Sequence, residues 1–216
     1  MTDLLSAAGT DRPAGVEDAA GIVARTSAAH QPANGARPIS EVLDRHPTGE
    51  RVTLENLPGR DLDADELREL AAGIAAEPAR WSGHVEFSDD ERHYVSLYRD
   101  THVDIWVLCW TPQNDTGWHD HDISSGAVAV TSGCLTEHNL AVGAPSMSTD
   151  VSDGLVFAFG PDHIHRLTGR DPGSVSIHAY SPPLWRMGQY TVGRTGMLRR
   201  RSVSYADELR PLDDPS

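Results

Sequence analysis

Lysine is missing from this sequence, and positive charge of any kind is scarce. All 18 basic residues among the 216 are arginines, against 32 aspartates and glutamates, so the formal net charge is −14. Without lysine there is no side chain for a Schiff base, for attachment of pyridoxal phosphate or for the phosphate contact of a P-loop. The negative charge also opposes binding to nucleic acid or to an anionic membrane surface. The composition therefore favours a function on small molecules.

Long apolar runs and cysteines are scarce as well. No run approaches the roughly 20 apolar residues of a membrane span, and residues 1–20 contain no apolar core of signal-peptide length. Cys109 and Cys134 are too few for a disulfide scaffold. We therefore expect a soluble cytoplasmic protein in which both thiols stay reduced.

The composition divides the chain into three parts. Residues 1–37 are dominated by Ala, Gly, Asp, Ser and Pro, and we interpret them as a flexible N-terminal arm. Residues 38–193 carry the regular apolar patterns and are predicted to form one domain. Residues 194–216 lack a clear apolar period and are predicted to be a loose C-terminal extension.

Two helix patterns begin the predicted domain, at residues 38–43 and 61–76, and Asp61 or Asp63 is placed to cap the second. From Trp81 onward, short β-like runs alternate with Gly, Pro and Asp, which is typical of an all-β sandwich or barrel. The sequence therefore predicts an all-β core with N-terminal helices packed on a sheet. The runs with the clearest strand pattern are residues 103–110, 126–131, 155–159, 174–180 and 189–192.

Two His-x-His pairs occur, each where a turn leads into a strand pattern. His119 and His121 form the first pair, and His163 and His165 form the second. Alternate residues of a strand project from the same face, so each pair could direct two imidazoles to one metal ion. One pair alone is weak support for a metal site, and the second pair strengthens it. Imidazole ligands suit zinc, copper, iron or nickel, so the ligands leave the metal open.

The surroundings of these pairs resemble the two cupin motifs of the cysteine dioxygenase family. Residues 117–121 (GWHDH) are similar to the first motif, and residues 161–166 (PDHIHR) are similar to the second. In the second motif of the family, the histidine directly before the arginine is the ligand, which excludes His163 here. The resemblance implies a cupin fold, a jelly-roll β-barrel, with iron(II) as its cofactor. The iron ligands that it implies are His119, His121 and His165.

Residues 174–183 (SVSIHAYSPP) are the most specific part of the resemblance. Family members carry a Ser-x-His-x-Tyr relay followed by Ser-Pro-Pro, and Ser176, His178 and Tyr180 reproduce the relay here. On a strand these side chains share one face and can form a hydrogen-bonded chain. The resemblance implies that the Tyr180 hydroxyl acts on the reactants while the other two residues orient it. Some relatives link a cysteine covalently to this tyrosine, but Gly126 stands at that position, so we expect no such link.

The substrate pocket departs from the family pattern. Relatives usually carry a Tyr-x-Arg segment whose arginine binds the substrate carboxylate, but here Tyr94 is followed by Ser96 at the position of that arginine. Serine lacks the charged fork that binds a carboxylate at two points. Either another arginine replaces it, with Arg92, Arg99 and Arg166 as candidates, or the substrate lacks a carboxylate in that place.

In the second case the pocket could accept a larger thiol, such as the thiol-imidazole betaine ergothioneine. Aromatic side chains could then contact its ring or its quaternary ammonium group, although core packing is the alternative interpretation of each aromatic residue. The predicted substrate-binding residues are Tyr94, Ser96, Arg92, Trp106 and Trp118.

The resemblance implies a monomeric thiol dioxygenase that adds both atoms of O₂ to the sulfur of a small thiol and yields a sulfinic acid. The substrate is predicted to be non-standard, because Ser96 replaces the usual arginine. A dioxygenase of cysteine or 3-mercaptopropionate that uses another arginine is the first alternative. A metal-dependent cupin isomerase, or a cupin that binds small molecules without turnover, is the second.

Overall fold

The computed structural model describes residues 35–46, 51–140, 146–193 and 197–204. Most of the predicted arm, residues 1–34, and the last part of the predicted extension, residues 205–216, lie outside the described residues. The helices are α1 (Ile39–Asp44) and α2 (Ala64–Ala75), followed by 3-10 turns at Pro78–Arg80 and Ser82–His84. The strands are β1 (Arg37–Pro38), β2 (Tyr94–Arg99), β3 (Asp104–Trp110), β4 (Trp118–Asp120), β5 (Ser125–Ser132), β6 (Cys134–Asn139), β7 (Met147–Ser152), β8 (Leu155–Phe159), β9 (His165–Gly169), β10 (Ser174–Ser181), β11 (Arg186–Val192) and β12 (Leu198–Ser204).

The strands form two six-stranded antiparallel sheets. The first sheet has the order β1-β8-β5-β10-β3-β2, and the second has the order β12-β11-β4-β9-β6-β7. Apolar side chains of both sheets meet in one interior cluster, in which Val128 and Phe157 of the first sheet join Leu135 and Leu167 of the second. This arrangement is the jelly roll of a cupin, so the predicted all-β core with N-terminal helices is confirmed. In the described residues, strand pairing does not join the two sheets into a closed barrel.

Strand β10 shows how the sequence pattern produces two different faces. The strand lies between β3 and β5, and all eight of its residues are buried. Val175, Ile177 and Ala179 pack into the cluster that contains α2. The alternate residues point to the second sheet, because successive side chains of a strand face opposite ways. The polar residues of the relay are thereby brought into the interior.

Helix α2 covers the outer face of the first sheet. Asp63 caps it by accepting hydrogen bonds from the backbone N–H groups of Asp65 and Glu66, while the Glu66 carboxylate accepts from the backbone N–H of Asp63. Of the two predicted caps, the structure therefore uses Asp63. Leu67 and Leu70 are buried against strands of the first sheet. No helix in the described ranges is both long enough and apolar enough to cross a membrane.

Both predicted domain boundaries differ from the structure. Arg37, assigned to the arm, lies in β1 and pairs with Val156 of β8. The predicted loose extension contains β12, which pairs with β11 along seven residues. The strand escaped the sequence pattern because it lies at the edge of its sheet and five of its seven residues are exposed. Only Val203 of β12 enters the interior core.

Candidate functional site

Three histidines meet between the two sheets. His119 on β4 and His165 on β9 are direct partners in the strand register, which brings together residues far apart in the sequence. His121 follows one residue after the end of β4. The ligand atoms of these three side chains lie within 4.8 Å of one another, and their ring centroids are 4.7 to 5.1 Å apart. One metal ion could contact all three.

The burial of this cluster supports a metal site. The three rings are at most 3% exposed, yet Nε2 of His165 and both ring nitrogens of His121 have no hydrogen-bond partner in the described residues. Buried polar atoms nearly always have a partner, because leaving one unsatisfied costs about 1–3 kcal/mol. A bound metal ion would satisfy Nε2 of His165 and one ring nitrogen of His121, so the donor set fits a metal with imidazole ligands.

Burial keeps two of these imidazoles, those of His121 and His165, in the neutral form that binds metals. Burial lowers the pKa of His165 to about 3, although the hydrogen bond to Glu137 works in the opposite direction. Burial and the neighbouring histidines hold the pKa of His121 well below its usual value. Nδ1 of His165 lies 2.9 Å from Oε1 of Glu137, and Nδ1 of His119 lies 3.1 Å from the Gly117 carbonyl oxygen. If each Nδ1 carries the proton, each Nε2 is left for a metal.

His163 lies beside the cluster but in a different environment. It occupies the turn before β9, and its Nε2 lies 3.0 Å from the same Glu137 oxygen that contacts His165. Glu137, His163 and His165 could also form a three-atom metal set. Both histidine nitrogens of that set, however, are within hydrogen-bonding distance of Glu137. The sequence predicted that His163 and His165 lie on one strand, but β9 begins at His165, so His163 precedes the strand.

The predicted relay forms a continuous hydrogen-bonded chain inside the molecule. Oγ of Ser176 lies 2.9 Å from Nε2 of His178, and Nδ1 of His178 lies 3.0 Å from the Tyr180 hydroxyl. The indole N–H of Trp110 donates to Ser176 at 2.9 Å and extends the chain by one member. Sequence reasoning gave Trp110 no place in the relay. Burial holds the pKa of His178 well below its usual value, so this imidazole is neutral.

A cleft opens over the cluster and the relay, with about 450 Å³ of open space including its mouth. Two of the predicted substrate residues, Arg92 and Trp106, line it. Arg92 is 7% exposed, and its guanidinium lies 4.8 Å above the centre of the Trp110 ring. The complete lining consists of Arg92, Trp106, Leu108, Thr116, His119, His165, Leu167, His178, Tyr180 and Leu184.

The other predicted substrate residues do not line this cleft. Tyr94 packs behind it against Trp106, with ring centroids 5.7 Å apart. Ser96 is exposed and pairs with Trp106 in the strand register. Trp118 neighbours His119 on β4, so its side chain points to the opposite face of the sheet, where it contacts His138 with ring centroids 6.5 Å apart.

Two of the three candidate arginines, Arg99 and Arg166, do not line the cleft. Arg99 forms an ion pair with Asp104 at 2.9 Å, and Arg166 grips the Asp115 carboxylate with two of its nitrogens. Only Arg92 of the three lines the cleft. The lining of the cleft therefore combines the imidazoles of His119, His165 and His178 with the phenol of Tyr180 and the guanidinium of Arg92.

Gly126 stands where an aromatic ring of the site needs space. It is the register partner of Phe159 on the neighbouring strand β8. A Cβ atom on Gly126 would lie 2.5 Å from Cε2 of Phe159 and 3.1 Å from Cδ1 of Tyr180. The Phe159 ring also packs against His121, with ring centroids 4.6 Å apart. This ring fills the space beside Gly126 and forms one wall of the histidine cluster.

The fold and the histidine cluster together define a cupin with a candidate metal centre. The family model described as cysteine dioxygenase type I matches residues 46–192. The chain belongs to this family, which confirms the resemblance of its motifs. Among curated protein sequences no match is found.

Solved structures with a similar chain course have low sequence identity. A protein with a double-stranded β-helix domain from Klebsiella pneumoniae is 15% identical, with 55% of this chain and 91% of that chain covered and a TM-score of 0.42. A cupin superfamily protein from Desulfitobacterium hafniense is 11% identical, with coverages of 48% and 87% and a TM-score of 0.40. KdgF from Halomonas sp. is 13% identical, with coverages of 46% and 86% and a TM-score of 0.40.

Proposed function

We propose that this protein is a non-heme iron(II) dioxygenase that adds both atoms of O₂ to the sulfur of a small thiol and forms a sulfinic acid. The observation that carries the proposal is the position of the relay. In a chain of the cysteine dioxygenase family, Tyr180 and His178 line the same cleft as His119 and His165. A cupin that only bound a metal would need no such relay beside it.

His119, His121 and His165 would hold the iron. Bound there, iron(II) would supply the redox chemistry that joins O₂ to the thiol sulfur. The buried surroundings exclude bulk water from the cluster, since each of the three histidines is at most 3% exposed. Leu108, Leu167 and Leu184 add apolar lining around the reacting groups.

The relay would orient the Tyr180 hydroxyl so that it donates its proton toward the cleft. Trp110 donates to Ser176, so the Ser176 hydroxyl can donate a hydrogen bond to Nε2 of neutral His178. Nδ1–H of His178 then donates to the oxygen of Tyr180, and the phenol keeps its proton for a reactant in the cleft. Partners of this kind commonly change activity by about 10- to 100-fold.

Arg92 supports a substrate with an anionic group. Arg92 lines the cleft together with Trp106, and a guanidinium binds a carboxylate through a planar fork of N–H donors. Ser96 is exposed and shares its face of the sheet with its register partner Trp106, but it does not line the cleft. This favours a carboxylated thiol with Arg92 as its anchor over a substrate without a carboxylate. Ergothioneine also carries a carboxylate, and Trp106 offers an aromatic surface for its ring.

The experiment is oxygen uptake by iron-reconstituted protein with cysteine, 3-mercaptopropionate, ergothioneine and cysteamine, with mass spectrometry for a gain of two oxygens. Cysteamine tests the anion, because it lacks a carboxylate. We expect turnover of at least one carboxylated thiol and little turnover of cysteamine. Absence of oxygen uptake with every thiol would count against a dioxygenase and favour the isomerase or the binding protein.

The Arg92→Gln variant tests the anchor. Charge-assisted hydrogen bonds contribute about 1.5–3 kcal/mol, so KM for the carboxylated substrate should rise about 10- to 100-fold with iron content unchanged. Arg170→Gln is the control, since Arg170 pairs with Asp150 on the surface. An unchanged KM in Arg92→Gln, or a preference for cysteamine in the native protein, would remove Arg92 from substrate binding.

A further inference from the structure

Asp120 lies between His119 and His121 in the sequence, but its side chain points away from both of theirs. It is 7% exposed, and its carboxylate accepts hydrogen bonds from five donors. These are Nε of Arg200 at 2.7 Å, Nη2 of Arg200 at 2.8 Å, the Tyr190 hydroxyl at 2.6 Å and the backbone N–H groups of Gly188 and Asp122, both at 2.9 Å. The carboxylate therefore joins the histidine segment to β11 and β12.

Arg200 comes from β12, beyond the part of the chain that matches the family model. That match ends at residue 192, whereas β12 runs from Leu198 to Ser204 and pairs along its full length with β11. β11 in turn pairs with β4, where Gln189 is the partner of His119. The last strand of the described chain thus reaches the histidines across one intervening strand.

The contact between Arg200 and Asp120 needs a glycine between them. A Cβ atom on Gly188 would lie 2.5 Å from Oδ2 of Asp120 and 2.6 Å from Cζ of Arg200. Any side chain there would push the guanidinium off the carboxylate. The sequence of β11 thus permits the close approach of these two side chains.

The same contact holds the turn that contains His121. The backbone N–H of Asp122 binds Asp120, and Asp122 has a positive φ of 56°, which few non-glycine residues adopt. Nη2 of Arg200 also lies 3.3 Å from a carboxylate oxygen of Asp122. In the same peptide group, the carbonyl oxygen of His121 accepts a hydrogen bond from the backbone N–H of Ser124 at 2.9 Å. Both polar groups of the peptide that links His121 to Asp122 are therefore held by hydrogen bonds.

His121 depends on this turn more than the other two histidines do. His119 and His165 are oriented by hydrogen bonds of their Nδ1 atoms, but neither ring nitrogen of His121 has a hydrogen-bond partner in the described residues. The ring is placed by its backbone and by packing against Phe159 and Tyr180. Loosening the backbone would therefore change the position of this imidazole first.

We infer that Arg200 is a positioning residue of the metal centre, which holds His119 and His121 in place through its grip on Asp120 and Asp122. The inference rests on the proposed metal site, and it makes β12 a part of that site. Removal of a partner that orients metal ligands typically costs 10- to 100-fold in metal affinity. The same loss of affinity is expected when Arg200 is replaced.

The test is titration of the metal-free protein with cobalt(II), followed by its visible absorption, for the native chain and the Arg200→Gln variant. We expect the variant to bind cobalt about 10- to 100-fold more weakly and with an altered spectrum. Arg199→Gln is the matched control, because it removes one charge from the same strand at an exposed position for which the described residues provide no ion pair. This control should bind cobalt as the native chain does.

Circular dichroism of the metal-free proteins separates positioning from loss of the fold. Should Arg200→Gln fail to fold, Tyr190→Phe removes a single donor to Asp120 and is expected to weaken cobalt binding to a smaller extent. A folded Arg200→Gln protein with native affinity and spectrum would overturn the inference and leave the metal site standing. A native chain that binds no cobalt would overturn the metal site and the inference together.

Discussion

At the scale of single residues, Glu137 separates the roles of two neighbouring histidines. Its fully buried carboxylate contacts both His163 and His165, but only His165 has a second nitrogen that is buried without a partner in the described residues. His163 is 28% exposed at its side chain. The carboxylate thus orients His165 toward the cluster and ties His163 to the rim of the site.

Alanine substitutions should separate the two histidines. We expect His165→Ala to abolish iron binding, because it removes one of three ligands, and His163→Ala to retain most of the iron. Iron content after reconstitution, measured by inductively coupled plasma mass spectrometry, checks both. If His165→Ala kept its iron and His163→Ala lost it, the set of Glu137, His163 and His165 would be the metal site instead.

The residues of the site differ in how far the sequence predicted them. Ser176, His178 and Tyr180 were predicted because their spacing matches a family motif and the period of a strand. Glu137 was missed, since a glutamate between Thr136 and His138 looks like an ordinary surface position. Its burial follows from the pairing of β6 with β9, in which Glu137 faces Leu167. No local pattern in the sequence indicates this pairing.

At the scale of elements, the pairing of β5 with β8 sets the wall of the histidine cluster. Gly126 and Phe159 are partners in this pair, and the ring lies over the glycine where a Cβ atom would collide with it. Aromatic rings commonly cover strand glycines across a sheet in this way. The glycine therefore allows Phe159 to lie flat beside His121.

Gly126→Ala should destabilise the protein by overpacking. Extra carbon atoms in a well-packed core typically cost about 1–3 kcal/mol, and the free energy of unfolding from urea titration measures this loss. Gly160→Ala is the control, since a Cβ atom there meets nothing within 4 Å, and its effect should stay within about 1 kcal/mol. Equal stability of the two variants would show that Phe159 can move aside without cost.

The elements also show where sequence patterns lose their strength. Helix α2 and strands β8 and β10 were predicted with small boundary errors, because each has a buried face with a clear period. Strand β12 was missed, because its three consecutive arginines at 199–201 resemble a charged tail. This segment forms a strand because it pairs with β11. Backbone pairing of an exposed edge strand produces no clear apolar pattern in the sequence.

At the scale of the whole molecule, the three proposed metal ligands belong to segments that only the folded chain brings together. β4, the turn after it and β9 supply one histidine each. An unfolded chain offers no such arrangement, so a bound metal stabilises the folded state by mass action. The stability of the protein is therefore coupled to the occupancy of the histidine cluster.

Metal should raise the melting temperature of the metal-free protein. At a free concentration 100 times the dissociation constant, the gain is about 2.7 kcal/mol, which corresponds to roughly 5–10 °C for a chain of this size. Thermal unfolding with iron(II) under nitrogen measures the shift. Magnesium, which prefers oxygen ligands, should produce none, and neither should iron(II) with His165→Ala. An equal shift in His165→Ala would place the stabilising metal elsewhere.

The sequence by itself determined the cupin class and the candidate ligands, because strand periods and family motifs are local and survive in a single chain. It also pointed to Arg92 as one of three candidate anchors, without choosing among them. Only the tertiary structure showed that Arg92 is the one of the three that lines the cleft, and only it fixed the exposure of Ser96, the outward direction of Trp118 and the contact between Arg200 and Asp120. Each of these depends on which strands pair and which face of a sheet is buried. Those are long-range properties, set by the packing of the two sheets rather than by neighbouring residues.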